Sequence, residues 1–257
     1  MPRLTVARRR GHYGGMRHFA FLFLAAATLT ACGRAAPSTL ILWAWERPED
    51  LRFAAGRAEV AVQTGFLSID GDTILSRGRR HALKVDDAPT TNVVHVQIEP
   101  DRPLDWTPLL RRQVGAAILH YALALPARRV QIDFEVRASQ RRVLLQTLAD
   151  LRHALPAGTI LSMTALASWC ETETWLDTAP VDEIVPMLFR MQRGEETIRR
   201  RLAAGGDFRN PRCRTALAIA ADSPPVRAPA GRRVYLFDPR SWSAAAFERV
   251  RKGIERW

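Results

Sequence analysis

Polar and apolar residues alternate in three successive strand-like runs, and the polar positions include groups that can transfer protons. The side chains of a strand point alternately to its two faces, so each polar set lies on one face. Carboxyl groups gathered on such a face are typical of general acid–base chemistry. The polar positions are His95, Gln97 and Glu99 in the first run, Gln131, Asp133 and Glu135 in the second, and Ser162 and Thr164 in the third.

Glu135 and Asp133 close the run 129–136 and are predicted as the catalytic residues. Glu135 is expected to be the general acid. Asp133 would orient the Glu135 carboxyl group or contribute to its protonation. Two like charges on one face repel, and this repulsion raises the pKa of one of the two acids. A glycosidase needs a second carboxyl group at about 5–5.5 Å for retention or 6.5–9.5 Å for inversion. Glu99 and Glu46 are the candidates for that group.

Further charged and aromatic residues follow other strand-like runs at their carboxyl ends. Aromatic faces beside carboxylates suit a carbohydrate, because the rings pack on CH groups and the carboxylates accept hydroxyl hydrogen bonds. Each tryptophan taken singly is more typical of core packing, and their shared position favours binding. The predicted substrate-binding set is Trp45, Glu46, Gln97, Glu99, Trp169, Arg190, Asp222, Asp238 and Trp242.

Strand-like and helix-like segments alternate through residues 40–257, which predicts one α/β domain with parallel strands. Eight strands in about 200 residues match a single (β/α)₈ TIM-like barrel. A doubly wound open sheet is the alternative, although no Gly-rich phosphate loop follows any strand. The strand-like runs are 40–45, 59–66, 92–98, 129–136, 159–167, 183–189, 215–221 and 233–238, and the helical patterns are 109–125, 139–155, 195–206 and 243–257.

The second strand–helix connection has a different pattern. Residues 68–85 predict a β-hairpin around Arg77 and Gly78 in place of a helix.

The polar positions are expected to face the barrel interior, because the apolar positions belong against the helices. Unpartnered polar groups there cost a few kcal/mol each, so they must be solvated or must satisfy one another. A purely structural network is one interpretation. The carboxyl-end position of the acids favours a ligand site, because these barrels place their chemistry at that end.

The first 32 residues have the pattern of a secretory signal. A basic start precedes an apolar run of about eleven residues, which is too short to span a bilayer. The LTAC tetrad ending at Cys32 is similar to the lipobox of bacterial lipoproteins, in which the cysteine is lipidated. An ordinary signal peptide cut nearby is the alternative. Gly33 in place of Asp favours the outer membrane, facing the periplasm, and residues 33–39 are predicted to be a linker.

The chain of 257 residues has a net charge of +12, with 38 basic against 26 acidic residues. Only Lys84 and Lys252 are lysines, and five arginines precede Cys32, so an arginine-rich composition explains the charge better than nucleic-acid binding. No metalloprotease, redox-cysteine or hydrolase-nucleophile motif occurs. The sequence therefore predicts a monomer with no cofactor, no metal site and no nucleic-acid partner.

Asp133-Phe134-Glu135 resembles the D-x-E ending of the glycoside hydrolase family 18 signature. The resemblance implies a barrel in which Glu135 is the general acid and Asp133 orients an N-acetyl group of the substrate. Arg128 and Gln131 stand where the earlier acids of the signature would be, and PMLFR at 186–190 only loosely matches its M-x-Y-D motif.

A closer similarity covers most of residues 40–257. The chain is identified as a member of the bacterial family named domain of unknown function 3142, for which this resemblance implies no activity. The strand-four motif of that family often has Asp where Glu135 stands. The matching segments, in order, are LWAWERPEDLRF, QIDFEVRASQRR, LSMTALASWC, PVDEIVPMLFRM and RVYLFDPRSW.

Cys170 and Cys213 are predicted to be free and buried. In the barrel, Cys170 follows strand five at its carboxyl end, and Cys213 precedes strand seven at its amino end. A strand of five or six residues would separate them by roughly 17–20 Å, whereas a disulfide needs Cα atoms within about 7 Å.

Two functional hypotheses follow from the sequence. The first is an envelope glycoside hydrolase that uses Glu135, and the second is a non-catalytic lipoprotein whose barrel mouth binds a glycan or a protein. A second acid facing Glu135 favours the first hypothesis, and a closed ion pair between Glu135 and Arg190 favours the second.

Overall fold

The computed structural model of the protein describes residues 38–189, 194–224, 226 and 228–255. These residues all belong to one compact unit. The predicted signal segment 1–32 with its Cys32, most of the predicted linker and Arg190 lie outside the described residues.

Eight parallel strands close into a barrel, as the sequence predicted. The first is hydrogen-bonded to both the second and the last strand of the barrel, so the ring closes. The strands of the described residues are β1 (Thr39–Ala44), β2 (Glu49–Asp50), β3 (Glu59–Asp70), β4 (Thr73–Gly78), β5 (Leu83–Lys84), β6 (Thr91–Ile98), β7 (Arg129–Glu135), β8 (Ile160–Leu166), β9 (Glu183–Met187), β10 (Ala216–Ala220) and β11 (Arg233–Phe237).

The barrel consists of β1, β3 and β6 to β11, while β2 and β5 pair in a separate two-stranded sheet. The helices are α1 (Pro108–Ala122), α2 (Arg141–Ala154), α3 (Trp169–Thr172), α4 (Glu195–Ala203) and α5 (Ala244–Glu255). All four predicted helical segments are confirmed, as α1, α2, α4 and α5. No helix within the described ranges is long and apolar enough to cross a membrane.

The predicted hairpin in the second connection is present, but its turn lies earlier in the chain. β3 continues to Asp70 and pairs antiparallel with β4, with the turn at Gly71 and Asp72 rather than around Arg77 and Gly78. Gly71 has a φ of +61°, which a two-residue hairpin loop requires and which glycine adopts without steric cost. The expected position was wrong because the strand alternation itself does not mark where a long strand turns.

Two apolar layers lie on opposite faces of the barrel strands. Outward positions pack against the helices, with Val114 and Ile118 of α1 and Leu144 and Leu148 of α2 all fully buried. Burial of each such side chain contributes about 1.5–3 kcal/mol. Inward positions form a second, smaller cluster that includes Trp43, Val93 and Tyr235, together with small alanines of β10.

The amino-terminal half of the interior is filled by buried ionic groups around Glu183. The carboxylate of Glu183 accepts hydrogen bonds from Ser162 Oγ and Tyr235 Oη, both at 2.8 Å. It also forms ion pairs with Arg129 at 3.3 Å and Arg233 at 3.1 Å. We call these five residues the basal cluster. All five face inward and are joined by hydrogen bonds or ion pairs, although the Nε atoms of Arg129 and Arg233 have no hydrogen-bond partner among the described residues. The structural interpretation of the polar positions is therefore correct for this half of the barrel.

Cys170 and Cys213 form a disulfide with a Cα–Cα distance of 6.0 Å, so the prediction of free cysteines was wrong. The strands are staggered: Leu166, the last residue of β8, lies level with Met187 and through it with Ala218 of β10. The amino end of β10 therefore lies only about two residues below the carboxyl end of β8. The prediction had treated the two ends as a full strand length apart.

Candidate active site

A cleft of about 610 Å³ opens at the carboxyl end of the barrel strands. Its walls combine aromatic rings with a few polar groups, which is the usual composition of a small-molecule site. The residues that line it include Trp43, Trp45, His95, Asp133, Glu135, Arg137, Thr164, Trp169, Met187, Phe189 and Phe237.

Asp133 is buried at the cleft and held by two neighbouring strands. Its Oδ1 accepts a hydrogen bond from Thr164 Oγ1 at 2.6 Å, and its Oδ2 lies 2.7 Å from His95 Nδ1. Burial raises the pKa of this carboxyl group. The hydrogen bond and charge of His95 outweigh that effect and, with Thr164, hold the pKa of Asp133 below its ordinary value. Asp133 is therefore a charged carboxylate, whereas repulsion between the two acids predicted a raised pKa for one of them.

His95 lies beside Asp133 because the two residues are register partners on β6 and β7. Burial lowers the pKa of the imidazole, but the hydrogen bond and charge of Asp133, and the charge of Glu135, raise it above the ordinary value. A carboxylate only accepts hydrogen bonds, so Nδ1 carries a proton and donates a hydrogen bond to Asp133. The ring also stacks on Phe66 at a centroid distance of 5.5 Å and meets the edge of Trp45 at 5.8 Å.

Glu135 is the last residue of β7 and lies one layer nearer the mouth than Asp133. It is exposed, it lines the cleft, and no described residue hydrogen-bonds to it or pairs with it. Arg137, two residues further on, is exposed at the same rim. Arg190, which the second hypothesis expects to form a closed ion pair with Glu135, lies outside the described residues.

Aromatic side chains form the walls of the cleft. Trp45 is half-buried and packs edge to face against Phe237 at 6.1 Å. Its indole Nε1 is buried and has no hydrogen-bond partner. Trp169, the first residue of α3, also lines the cleft and packs against Trp175 at 5.2 Å. A buried N–H donor without a partner costs free energy, so a bound acceptor at Trp45 would satisfy it.

Two predicted acids lie outside the cleft lining, in structural hydrogen bonds. The Glu46 carboxylate accepts from the backbone N–H groups of Arg80 and His81, at 2.8 and 3.0 Å, and so holds the loop after β4. Asp238 is buried and accepts from the backbone N–H of Arg240 at 2.9 Å.

The other predicted residues also lie apart from the cleft lining. Glu99 accepts hydrogen bonds from Ser68 and Gln97 beside the hairpin. Trp242 is buried and donates from Nε1 to the Trp43 carbonyl at 3.1 Å. Asp222 is exposed in the loop after β10. The structure thus brings together Trp45, Asp133, Glu135 and Trp169 out of the predicted set.

Sequence reasoning did not assign a site role to Trp43, Arg137, Thr164, Phe189 or Phe237, all of which line the cleft. His95 was expected to be a hydrogen-bonded interior residue. The sequence pattern could have identified two of them. Trp43 lies two positions before Trp45 and therefore on the same face of the strand, and Thr164 belongs to the same alternation as Ser162. Which of them meet depends on the register between strands, which alternation within one strand does not determine.

Among the described residues, no group of three or more His, Cys, Asp or Glu side chains is arranged to hold a metal ion. No protein-family model, curated protein or solved structure matches the chain. The similarities to domain of unknown function 3142 and to glycoside hydrolase family 18 therefore stay predictions from the sequence segments.

Proposed function

We propose that the barrel mouth binds a saccharide and that the protein is a glycoside hydrolase in which Glu135 transfers a proton. The observation that carries this proposal is an aromatic cleft with one exposed carboxylate that has no described partner. Exposed carboxylates elsewhere could be solvated surface groups, but Glu135 lies inside the lining, beside Trp45 and Trp169. Sugar rings pack on such aromatic faces, and a free carboxylate can exchange a proton with a glycosidic oxygen or a water.

The hydrogen bonds of Asp133 determine the role that we assign to it. Both of its oxygens are engaged, one by His95 and one by Thr164. Because both oxygens accept hydrogen bonds from protein side chains and the residue is buried, we assign Asp133 a positioning role. The proposal is therefore hydrolysis without Asp133 as a nucleophile.

Saccharide binding without catalysis is the second candidate. It is favoured by one observation, namely that no second unengaged carboxylate lines the described part of the cleft. The aromatic walls and the unpartnered Trp45 N–H support binding equally well in both cases.

The envelope location stays part of the proposal. We propose that Cys32 is lipidated and anchors the protein to the outer membrane, facing the periplasm. Labelling of cells with a fatty-acid analogue should mark the wild-type protein and leave Cys32→Ala unmarked. Labelling of that variant would contradict the anchor.

The test of function uses the full-length protein in detergent with peptidoglycan fragments, chitin oligosaccharides and exopolysaccharides. Release of reducing ends by the wild type and its loss by at least about 100-fold in Glu135→Gln support the hydrolase. Asp222→Asn is the matched control, because it neutralises an exposed acid outside the cleft lining. Calorimetric binding without hydrolysis supports the second candidate, and it should weaken in Trp45→Phe. The absence of both binding and hydrolysis would contradict both candidates.

A further inference from the structure

We infer that His95 is a second catalytic residue of this cleft, which donates a proton to the leaving oxygen while Glu135 accepts one from the attacking water. This inference rests on the proposed function and deepens it. It also changes the role of Glu135: the sequence predicted a general acid, and here Glu135 is the general base. Asp133 is a positioning residue, which acts through His95.

The first step of the argument is the orientation of the imidazole. Asp133 is bonded to Nδ1, so the proton available for transfer is the one on Nε2. Stacking on Phe66 and edge contact with Trp45 fix the plane of the ring. Gln97, two residues nearer the mouth on the same face of β6, forms a side-chain hydrogen bond with the ring that favours its charged form. A substrate oxygen would replace Gln97 as the acceptor of the Nε2 proton.

The second step is the spacing of the two proton-transfer groups. Glu135 is the register partner of Gln97, so it lies diagonally from His95 across the β6–β7 pair. Strands about 4.8 Å apart and two residues spanning about 6.6 Å place the Cα atoms about 8 Å apart. Both side chains point to the same face. Inverting glycosidases hold the acid and base groups themselves about 6.5–9.5 Å apart, with room for a water, and two side chains on one face with Cα atoms about 8 Å apart can reach that separation.

The third step is the protonation state. The charged groups that face His95 are Asp133 and Glu135 of β7, and Arg77 of β4 contacts the Phe66 ring that stacks on it, at 4.7 Å. The net effect of these neighbours and of burial is a raised pKa for His95. An imidazolium is a proton donor, and an exposed carboxylate is an acceptor. The assignment of the acid role to His95 therefore uses the imidazole in the form that its neighbours favour.

The reaction balances with these two groups and water. The bond between the anomeric carbon and the glycosidic oxygen breaks, and its electron pair stays on that oxygen, which takes the Nε2 proton of His95. A water oxygen bonds to the anomeric carbon and gives its proton to Glu135. The products are an alcohol and an inverted hemiacetal, and a proton returns from Glu135 to His95 through solvent.

The test measures kcat/KM against pH for the full-length protein, with the saccharide that the Glu135 screen identifies. Loss of the His95 proton should set the alkaline limb of the profile. Asp133→Asn should move that limb down by about one to three pH units, because it removes the carboxylate that favours the imidazolium. His95→Gln should lower kcat by about 10²- to 10⁴-fold.

A readout that does not depend on activity accompanies the kinetics. Titration of the His95 ring by nuclear magnetic resonance should give a pKa above 6.5 in the wild type, and a lower one in Asp133→Asn. Ser162→Ala is the matched control, because it removes buried hydrogen bonds one layer deeper and should leave both the limb and the titration unchanged.

The outcomes separate the two proposals. Glu135-dependent hydrolysis with an alkaline limb that Asp133→Asn does not move would overturn the role of His95 and leave the glycosidase standing. A shift of the acid limb instead would assign His95 as the base and would also overturn the inference. Absence of hydrolysis would overturn both proposals.

Discussion

Both halves of the barrel interior contain polar and charged residues, but the halves differ in how these charges are satisfied. In the amino-terminal half, Glu183 is surrounded by two arginines, a serine and a tyrosine, all inward-facing. In the carboxyl-terminal half, Asp133 has two partners, Glu135 has none among the described residues, and a cleft takes the remaining space. The same alternation of polar side chains thus produces a packed ionic plug at one end and a site at the other.

The comparison separates stability from function. A group whose partners are all protein side chains contributes to folding, and its removal leaves those partners unpaired. A group that faces a cleft without a protein partner can be removed at little cost to folding. Mutations that neutralise one carboxylate in each half test this directly.

The largest effect is expected for Glu183→Gln. The substitution keeps the shape but leaves the buried guanidinium of Arg129 without its ion-pair partner. Removing one partner of a buried ion pair costs about 3–5 kcal/mol. Urea unfolding should show this loss of unfolding free energy. An unchanged midpoint would mean that the basal cluster is solvated rather than closed.

The second effect concerns the disulfide, which joins the segment after β8 to the segment before β10 with a sequence separation of 43 residues. Replacing both Cys170 and Cys213 by serine should lower the unfolding free energy by about 2–4 kcal/mol. Thermal unfolding measures the change. Peptide mapping without reductant should recover the crosslinked pair, and two unmodified thiols there would contradict the disulfide.

The third effect is pH-dependent and comes from His95 and Asp133. The pKa of His95 is raised on folding, so its stabilisation is full below the unfolded value near 6.5 and is lost as pH rises through the folded value. The pKa of Asp133 is lowered, so its stabilisation is present above about 3.8 and is lost as pH falls through the folded value. The pair should therefore contribute most between these two pH values, by about 3 kcal/mol.

Denaturant unfolding of the wild type and of Asp133→Asn across pH 4–9 checks this prediction. The difference between the two proteins should be greatest near pH 5–6 and should shrink above the folded pKa of His95. A difference that does not vary with pH would mean that Asp133 contributes through packing alone.

The smallest effect on folding is expected for Glu135→Gln. Glu135 is exposed and has no described partner, so the unfolding free energy of the variant should stay within about 0.5 kcal/mol of the wild-type value. The same urea titration used for Glu183→Gln provides the measurement. A loss comparable to that of Glu183→Gln would place Glu135 in a closed ion pair and would weaken the proposed function.

Most of the fold could be predicted because local patterns determine it. Each barrel strand coincides with one apolar run, and the inward face of β7 was visible from the alternation of Gln131, Asp133 and Glu135. The contacts between strands could not be predicted in the same way. The pairing of His95 with Asp133, and the position of Cys170 beside Cys213, depend on inter-strand register and on barrel stagger, which arise only when the ring closes.

The sequence also assigned more residues to the site than the cleft contains. Glu46 and Asp238 do follow strand ends, but backbone N–H groups nearby bind their carboxylates. Position at the end of a strand therefore identifies candidates, while the nearest hydrogen-bond donors determine which of them stay available to a ligand.

Strand β3 contains a β-bulge, which determines which of its later side chains face the barrel interior. Pairing with β6 shifts between Gln63 and Gly65, so two successive residues, Thr64 and Gly65, meet Tyr121 of α1. The extra residue returns Phe66 to the interior, where it stacks on His95. If β3 paired in regular alternation through Thr64, without the bulge, every later side chain of β3 would turn to the opposite face. The aromatic surface beneath the imidazole would then be lost, although no residue of the cleft itself had been replaced.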